Sequence, residues 1–173
     1  MQAVTLFAYA FVSNVALAVL PHEPAVIWYG ARLGVWPTAL VATAGTVAAA
    51  LVDHRIFVPL IRRAAARRRS RAADPGPAAQ AWLRLFARGP FATIALSGLT
   101  PLPFFPFKAL AFTTGYPLGR YLAAVTARSL PRYLLLAWLG EAVRLPLWLM
   151  ATLFALLLIP SLRIALWPRP SAS

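Results

Sequence analysis

Ionisable side chains lie in or beside stretches of sequence that are otherwise apolar, among them Glu23, Asp53, Lys108, Arg128 and Arg132. An ionised group in hydrocarbon is costly, so residues of this kind are usually paired or functional. A carboxylate can take up and release a proton, whereas ammonium and guanidinium groups bind anions. The sequence therefore offers candidates for proton transfer and for binding a negatively charged ligand.

An internal repeat makes Glu23 and Lys108 equivalent. At an offset of 85 residues, one proline–charge–glycine pattern lies over another: Pro21-His22-Glu23 over Pro106-Phe107-Lys108, and Gly30-Ala-Arg-Leu-Gly34 over Gly115-Tyr-Pro-Leu-Gly119. The opposite charges predict that Glu23 and Lys108 meet where the repeats converge. They form either a structural ion pair or a functional couple, in which Glu23 exchanges a proton and Lys108 attracts an anion.

Two arginines extend the cationic set. Arg128 and Arg132 are at positions i and i+4 of a predicted helix and so share a face. Guanidinium groups suit phosphate oxygens, so we interpret Lys108, Arg128 and Arg132 as substrate-binding residues. The alternative is that the arginines extend to a membrane surface.

Asp53 is the remaining acidic candidate. It forms either a local surface pair with Arg55 or a second proton-coupling carboxylate beside Glu23.

The composition indicates a membrane protein. The 173-residue chain is 61% hydrophobic and only 12% charged, whereas soluble globular domains are about 25% charged. It has no cysteine and two histidines, which leaves little for a metal site. No nucleophile and base are suitably spaced, and no phosphate-binding glycine loop is present, so we expect neither an enzyme nor a cofactor.

A helix needs about 20 apolar residues to cross a bilayer, and four segments qualify: Met1 to Leu20, Trp36 to Pro59, Gly119 to Gly140 and Leu145 to Leu166. Two further segments, 18–35 and 89–118, are apolar but interrupted by prolines: Pro21, Pro24, Pro101, Pro103, Pro106 and Pro117. Such backbone survives at membrane depth only where protein or water covers it, which favours re-entrant hairpins. Interfacial loops are the alternative.

One hairpin plus one span per repeat makes successive repeats start on opposite membrane faces, which is an inverted-topology repeat. We therefore predict an all-α membrane protein with about four transmembrane helices and two re-entrant helical hairpins. The single membrane domain covers 1–173, with repeat 1 at about 18–60, an Arg-rich loop at 61–88, repeat 2 at about 89–140 and a final helix at about 145–166.

The Arg-rich loop predicts the orientation. The net charge of +13 is concentrated there, and the positive-inside rule places this loop and both termini in the cytoplasm of a multi-pass cell-membrane protein. Nucleic-acid binding is the less favoured interpretation, because no aromatic residues are interleaved with the arginines.

The motifs resemble those of the DedA family and the related VTT (SNARE-associated) membrane proteins over about residues 18–145. The similar stretches are Pro21-x-Glu23 with Gly30, Asp53 to Phe57, Thr100-Pro101 through Lys108 with Gly115, and Arg128-Ser-Leu-Pro-Arg132-Tyr133. Gly98 stands where that group commonly has an arginine, and residues 1–22 lack its further acid.

The resemblance implies lipid transport, in which a phosphorylated lipid carrier such as polyprenyl phosphate is translocated or phospholipid is scrambled. The expected partners are an anionic phosphorylated lipid and protons, and a homo-oligomer is left open. Two alternatives are a proton-coupled transporter of a soluble solute or cation and a non-catalytic membrane scaffold.

Overall fold

The computed structural model describes residues 1–15, 21–68, 86–97 and 105–143, with residues 80, 84, 146, 148–149, 151–152 and 155–156. Across these residues the protein is helical and contains no strand, which confirms the predicted all-α class. Six helices carry the fold: α1 (Gln2–Asn14), α2 (Glu23–Leu33), α3 (Val35–Arg68), α4 (Pro90–Leu96), α5 (Phe105–Thr113) and α6 (Leu118–Val143).

Prolines mark the starts of several helices. Pro24 lies in the first turn of α2, Pro90 begins α4, and Pro117 directly precedes α6. Proline is tolerated at these positions because the first N–H groups of a helix have no intrahelical partner. Pro106 likewise lies at the start of α5. The re-entrant hairpin over 89–118 stays a prediction, because residues 98–104 lie outside the described residues.

The first helix is shorter than predicted. The segment Met1 to Leu20 was expected to be one span, but α1 ends at Asn14 and Val15 is extended. A helix of 13 residues rises about 20 Å, which is less than the roughly 30 Å of bilayer hydrocarbon. Helices α1 and α2 are thus two short helices, and the described residues between them, 15 and 21–22, are not helical.

Helix α3 is longer than predicted. It runs for 34 residues, with Pro59 inside it, and reaches Arg68. The segment 61–88, expected to be a loop, therefore begins as helix. Residues 35–60 form one stretch that is long and apolar enough to cross a membrane, and no other helix among the described residues meets both conditions.

Helix α6 matches the predicted third span in position, with 26 residues and Pro131 inside it. Most of the predicted fourth span, Leu145 to Leu166, lies outside the described residues, as does the stretch 98–104 with Pro101 and Pro103. The four spans and the inverted repeat stay predictions.

Two apolar clusters pack on α3 and α6. The first joins α1 and α2 to Ala39 and Ala42 of α3 and to Tyr133 and Ala137 of α6. The second joins α4 and α5 to later residues of α3, Ala50 and Val58, and to earlier residues of α6, among them Tyr121, Ala124 and Val125. The two long helices are therefore antiparallel, and the pairs of short helices lie toward opposite ends of them.

Glycines allow the closest approach between helices, at the contact of α2 with α6. A Cβ atom added to Gly30 would lie 2.3 Å from the Ala137 carbonyl oxygen, and one added to Gly140 would lie 1.9 Å from that of Ile27. Real Cβ atoms do not approach backbone this closely. The two glycines therefore fix how deeply the first pair of short helices sits against α6.

Candidate functional site

A polar layer separates the two apolar clusters near the middle of α3 and α6. Thr43 and Thr46 of α3 and Arg128 and Ser129 of α6 are buried there. The ends of α1 and α4, and the starts of α2 and α5, bring the other polar groups to the same layer: Asn14, His22, Glu23, Ser97 and Lys108. The ends of the short helices thus supply the polar side chains at this depth.

Lys108 forms an ion pair with Asp53. Lys108 lies in α5 and is 5% exposed, and Asp53 lies in α3 and is fully buried. The Lys108 ammonium also donates a hydrogen bond of 3.1 Å to the backbone carbonyl oxygen of Asn14. That carbonyl belongs to the last turn of α1, where the oxygens lack intrahelical donors. One cation therefore joins α5, α3 and the end of α1.

Glu23 forms an ion pair with Arg132. The Arg132 guanidinium donates a hydrogen bond of 2.5 Å to the Glu23 carboxylate, and the side chains are 28% and 21% exposed. Glu23 lies in the first turn of α2, where a negative charge is also favoured by the helix dipole. This pair is accessible, unlike the buried Asp53–Lys108 pair.

Two predicted pairings are therefore wrong. Glu23 and Lys108 do not pair with each other, and Asp53 does not form a surface pair with Arg55. The equivalent residues Glu23 and Lys108 each bind a long helix instead. Glu23 of α2 binds α6, and Lys108 of α5 binds α3. A short helix from the first half of the chain, α1 to α3, is thus joined to the long helix of the second half, α4 to α6, and the reverse also holds.

Arg128 is the third predicted cation. Its side chain is buried, and its Nε donates a hydrogen bond of 3.1 Å to the Ser97 hydroxyl at the end of α4. The alternative in which Arg128 extends to a membrane surface is therefore wrong. Arg128 and Arg132 follow the same face of α6 but contact different helices, α4 and α2.

A chain of hydrogen bonds runs between the two ion pairs. The Tyr133 hydroxyl is 2.8 Å from the Nε2 atom of His22 and 2.8 Å from the Thr46 hydroxyl. The Asn14 amide donates to the Thr46 hydroxyl at 3.3 Å, and the Asn14 carbonyl accepts from Lys108. Polar contacts thus connect the surroundings of Glu23 to those of Asp53.

The sequence reasoning did not single out His22, Tyr133, Thr46 or Asn14 as site residues. His22 and Tyr133 directly adjoin Glu23 and Arg132 in the chain, so adjacency was a usable signal for these two. Thr46 and Asn14 carry no such signal, because polar residues of their type are common in membrane helices. Only the packing of α1 against α3 brings them together.

The charges of this layer determine what it can bind. Three cations, Lys108, Arg128 and Arg132, face two carboxylates, Asp53 and Glu23, so these five groups sum to +1 when all are ionised. Such an excess favours an anionic ligand, and the exposed fractions place the accessible side at Arg132. Among the described residues no cluster of three or more histidines and carboxylates could hold a metal.

Comparisons with known proteins complete the description of the site: no family model matches the chain, and neither the curated proteins nor the solved structures include a significant match.

Proposed function

We propose that this protein is an integral membrane transporter built on an inverted repeat. One repeat consists of α1, α2 and α3, and the other consists of α4, α5 and α6. The antiparallel α3 and α6, with the short helices packed toward opposite ends of them, support this arrangement. In transporters of this type, broken helices place the substrate site near the bilayer midplane.

The substrate proposed is a phosphorylated lipid. The observation that carries this proposal is the Glu23–Arg132 pair, because it is a partly exposed ion pair within a layer of net positive charge. A phosphate group can replace the Glu23 carboxylate on Arg132, since guanidinium binds both anions with the same fork geometry. Apolar side chains on the outer faces of α3 and α6, among them Leu40, Ile56 and Leu135, suit a lipid surrounding.

In the proposed transport cycle, the two ion pairs act as alternating contacts between the repeats. Each pair joins a short helix of one repeat to the long helix of the other. Breaking the accessible pair frees the start of α2 from α6, while the buried pair holds α5 on α3. The resemblance to the DedA and VTT proteins, which implies lipid translocation across the cell membrane, is compatible with this cycle and is part of the proposal.

Lipid movement in vesicles tests the proposal. The purified protein would be reconstituted with a fluorescent short-chain polyprenyl phosphate, and its transfer between leaflets would be followed by quenching from outside. We expect Arg132→Gln to slow transfer about tenfold or more, because a hydrogen bond to a charged group contributes about 1.5–3 kcal/mol. The matched control is Arg120→Gln, which removes an exposed arginine of the same helix.

The outcomes separate the proposal from its alternatives. Equal transfer in Arg132→Gln, Arg120→Gln and the unmodified protein would remove Arg132 from the substrate site. No transfer by the unmodified protein, together with uptake of a soluble anion, would favour a transporter of soluble solutes. No transfer of either probe would favour a scaffold.

A further inference from the structure

His22 has the surroundings of a proton-binding site. It directly precedes α2 and is half-buried, and its Nε2 atom is 2.8 Å from the Tyr133 hydroxyl. The Tyr133 ring packs edge-on against the imidazole, with ring centroids 5.4 Å apart. Histidine is the side chain whose ordinary pKa allows its charge to change between about pH 5 and 8. Neither ion pair needs His22 for its contacts.

The hydrogen bonds of His22 can run in two directions. The Thr46 hydroxyl donates to the Ala42 carbonyl at 3.0 Å, so Tyr133 then donates to Thr46 and accepts from His22. If Thr46 instead donates to Tyr133, then Tyr133 donates to His22. Rotation of two hydroxyl groups therefore lets Nε2 act as donor or acceptor without movement of the backbone.

Charged and titratable groups face His22 from each neighbouring helix that carries one. From α1, the Tyr9 hydroxyl donates to the carbonyl of Pro21, the residue before His22. From α2 comes the negative charge of Glu23, and from α6 come the positive charges of Arg128 and Arg132 with the Tyr133 hydroxyl. From α3, Thr46 reaches His22 only through Tyr133.

These charges couple the protonation of His22 to the binding of an anion at Arg132. Glu23, Arg128 and Arg132 sum to +1 around the imidazole. A proton on His22 would raise this sum to +2, which like-charge repulsion disfavours in a weakly solvated layer. A phosphate group at Arg132 adds at least one negative charge and removes that obstacle. By thermodynamic reciprocity, the proton then strengthens anion binding by the same factor.

We propose that His22 takes up a proton when an anionic headgroup binds at Arg132, and that it releases this proton when the anion leaves. The inference rests on the proposed function and deepens it, because it assigns the coupling proton to His22 and not to the carboxylates. Asp53 then keeps its ion pair with Lys108, and Glu23 is the partner that the anion replaces on Arg132.

Calorimetry of ligand binding tests the assignment. Farnesyl phosphate would be titrated into the full-length protein in detergent at pH 7, in buffers with different enthalpies of ionisation, and the dependence of the heat on the buffer gives the number of protons taken up. We expect the unmodified protein to take up more protons on binding the probe than His22→Gln does.

Two variants serve as controls. His54→Gln removes the other histidine, which lies in α3 with its Nε2 atom 3.3 Å from the Tyr116 carbonyl oxygen, and it should keep the proton uptake. Glu23→Gln tests the alternative in which the carboxylate takes up the proton. Uptake that persists in His22→Gln but disappears in Glu23→Gln would overturn the inference and assign the proton to the carboxylate.

The test distinguishes failure of the inference from failure of the proposed function. Binding of farnesyl phosphate with equal proton uptake in the unmodified protein and His22→Gln contradicts only the inference. Absence of binding by the unmodified protein contradicts the proposed function. If His22→Gln does not fold, the imidazole resonances of the unmodified protein can be titrated with and without the probe, with His54→Gln for assignment. A His22 signal that the probe does not shift would overturn the inference.

Discussion

At the scale of single residues, Asp53 and Lys108 are the most deeply buried opposite charges in the described part of the chain. Removing one partner of a buried pair costs about 3–5 kcal/mol, because the other charge is left without compensation. We expect Lys108→Met to lower the thermal unfolding temperature strongly. The double variant Asp53→Asn with Lys108→Met should recover most of the loss. Unfolding in detergent, followed by tryptophan fluorescence, measures both.

The exposed Arg120→Met is the matched control and should unfold near the temperature of the unmodified protein. A double variant as unstable as Lys108→Met would show that Lys108 stabilises the fold through the Asn14 carbonyl and not through Asp53.

The outcome also bears on the assignment of Lys108 as a substrate-binding residue. Lys108 already binds two buried acceptors, so its main role is structural. Arg132 is then the better candidate for binding the substrate.

Which residues carry charge in the apolar layer could be predicted from the sequence, but which residues pair could not. The repeat placed Glu23 and Lys108 at equivalent positions, and opposite charge favoured direct contact. Their actual partners, Arg132 and Asp53, depend on the antiparallel packing of α3 and α6. Glu23 of α2 contacts Arg132 of α6, and Lys108 of α5 contacts Asp53 of α3, and no local sequence pattern encodes these contacts.

At the scale of helices, the contact of α2 with α6 should be the most sensitive to added volume. We expect Gly30→Ala and Gly140→Ala each to destabilise the protein by about 1–3 kcal/mol or more, because the added methyl group meets backbone that cannot rotate away. The control is Gly119→Ala, since nothing lies within 4 Å of a Cβ atom added there. Thermal unfolding in detergent compares the three variants.

Equal stability of Gly30→Ala and Gly119→Ala would contradict the close packing of α2 on α6. Both glycines belong to the repeated sequence pattern, which therefore does not distinguish them. Gly30 is buried at a helix crossing, whereas Gly119 is exposed at the start of α6. The comparison thus measures the helix contact itself and not the general preference of helices for alanine over glycine.

The ends of α1 and α3 could not be predicted from the sequence. Prolines correctly indicated the interrupted segments, but the end of α1 at Asn14 was not predictable, because residues 15–20 continue the apolar run. The helix ends where tertiary contacts satisfy its last turn: Lys108 binds the Asn14 carbonyl, and the Asn14 amide reaches Thr46. Similarly, α3 continues through Pro59 to Arg68 although proline and the arginine cluster suggested an end.

At the scale of the whole molecule, the proposed inverted repeat predicts which helix ends share a membrane face. If α3 and α6 both cross the bilayer, then their antiparallel packing places the start of α3 with the end of α6. Trp36 and Glu141 are exposed near these ends, and Arg63 and Arg120 are exposed near the opposite ends. The native chain contains no cysteine, so a single introduced thiol reports one position.

We expect Trp36→Cys and Glu141→Cys to react with a membrane-impermeant maleimide added outside intact cells. Arg63→Cys and Arg120→Cys should react only after the membrane is opened, because the positive-inside rule predicts that the arginine-rich end of α3 faces the cytoplasm. Reaction of positions 36 and 63 from the same side would mean that α3 does not cross. Reaction of positions 36 and 141 from opposite sides would mean that α3 and α6 are not related by inversion, and the two ion pairs could then not act as alternating contacts between repeats.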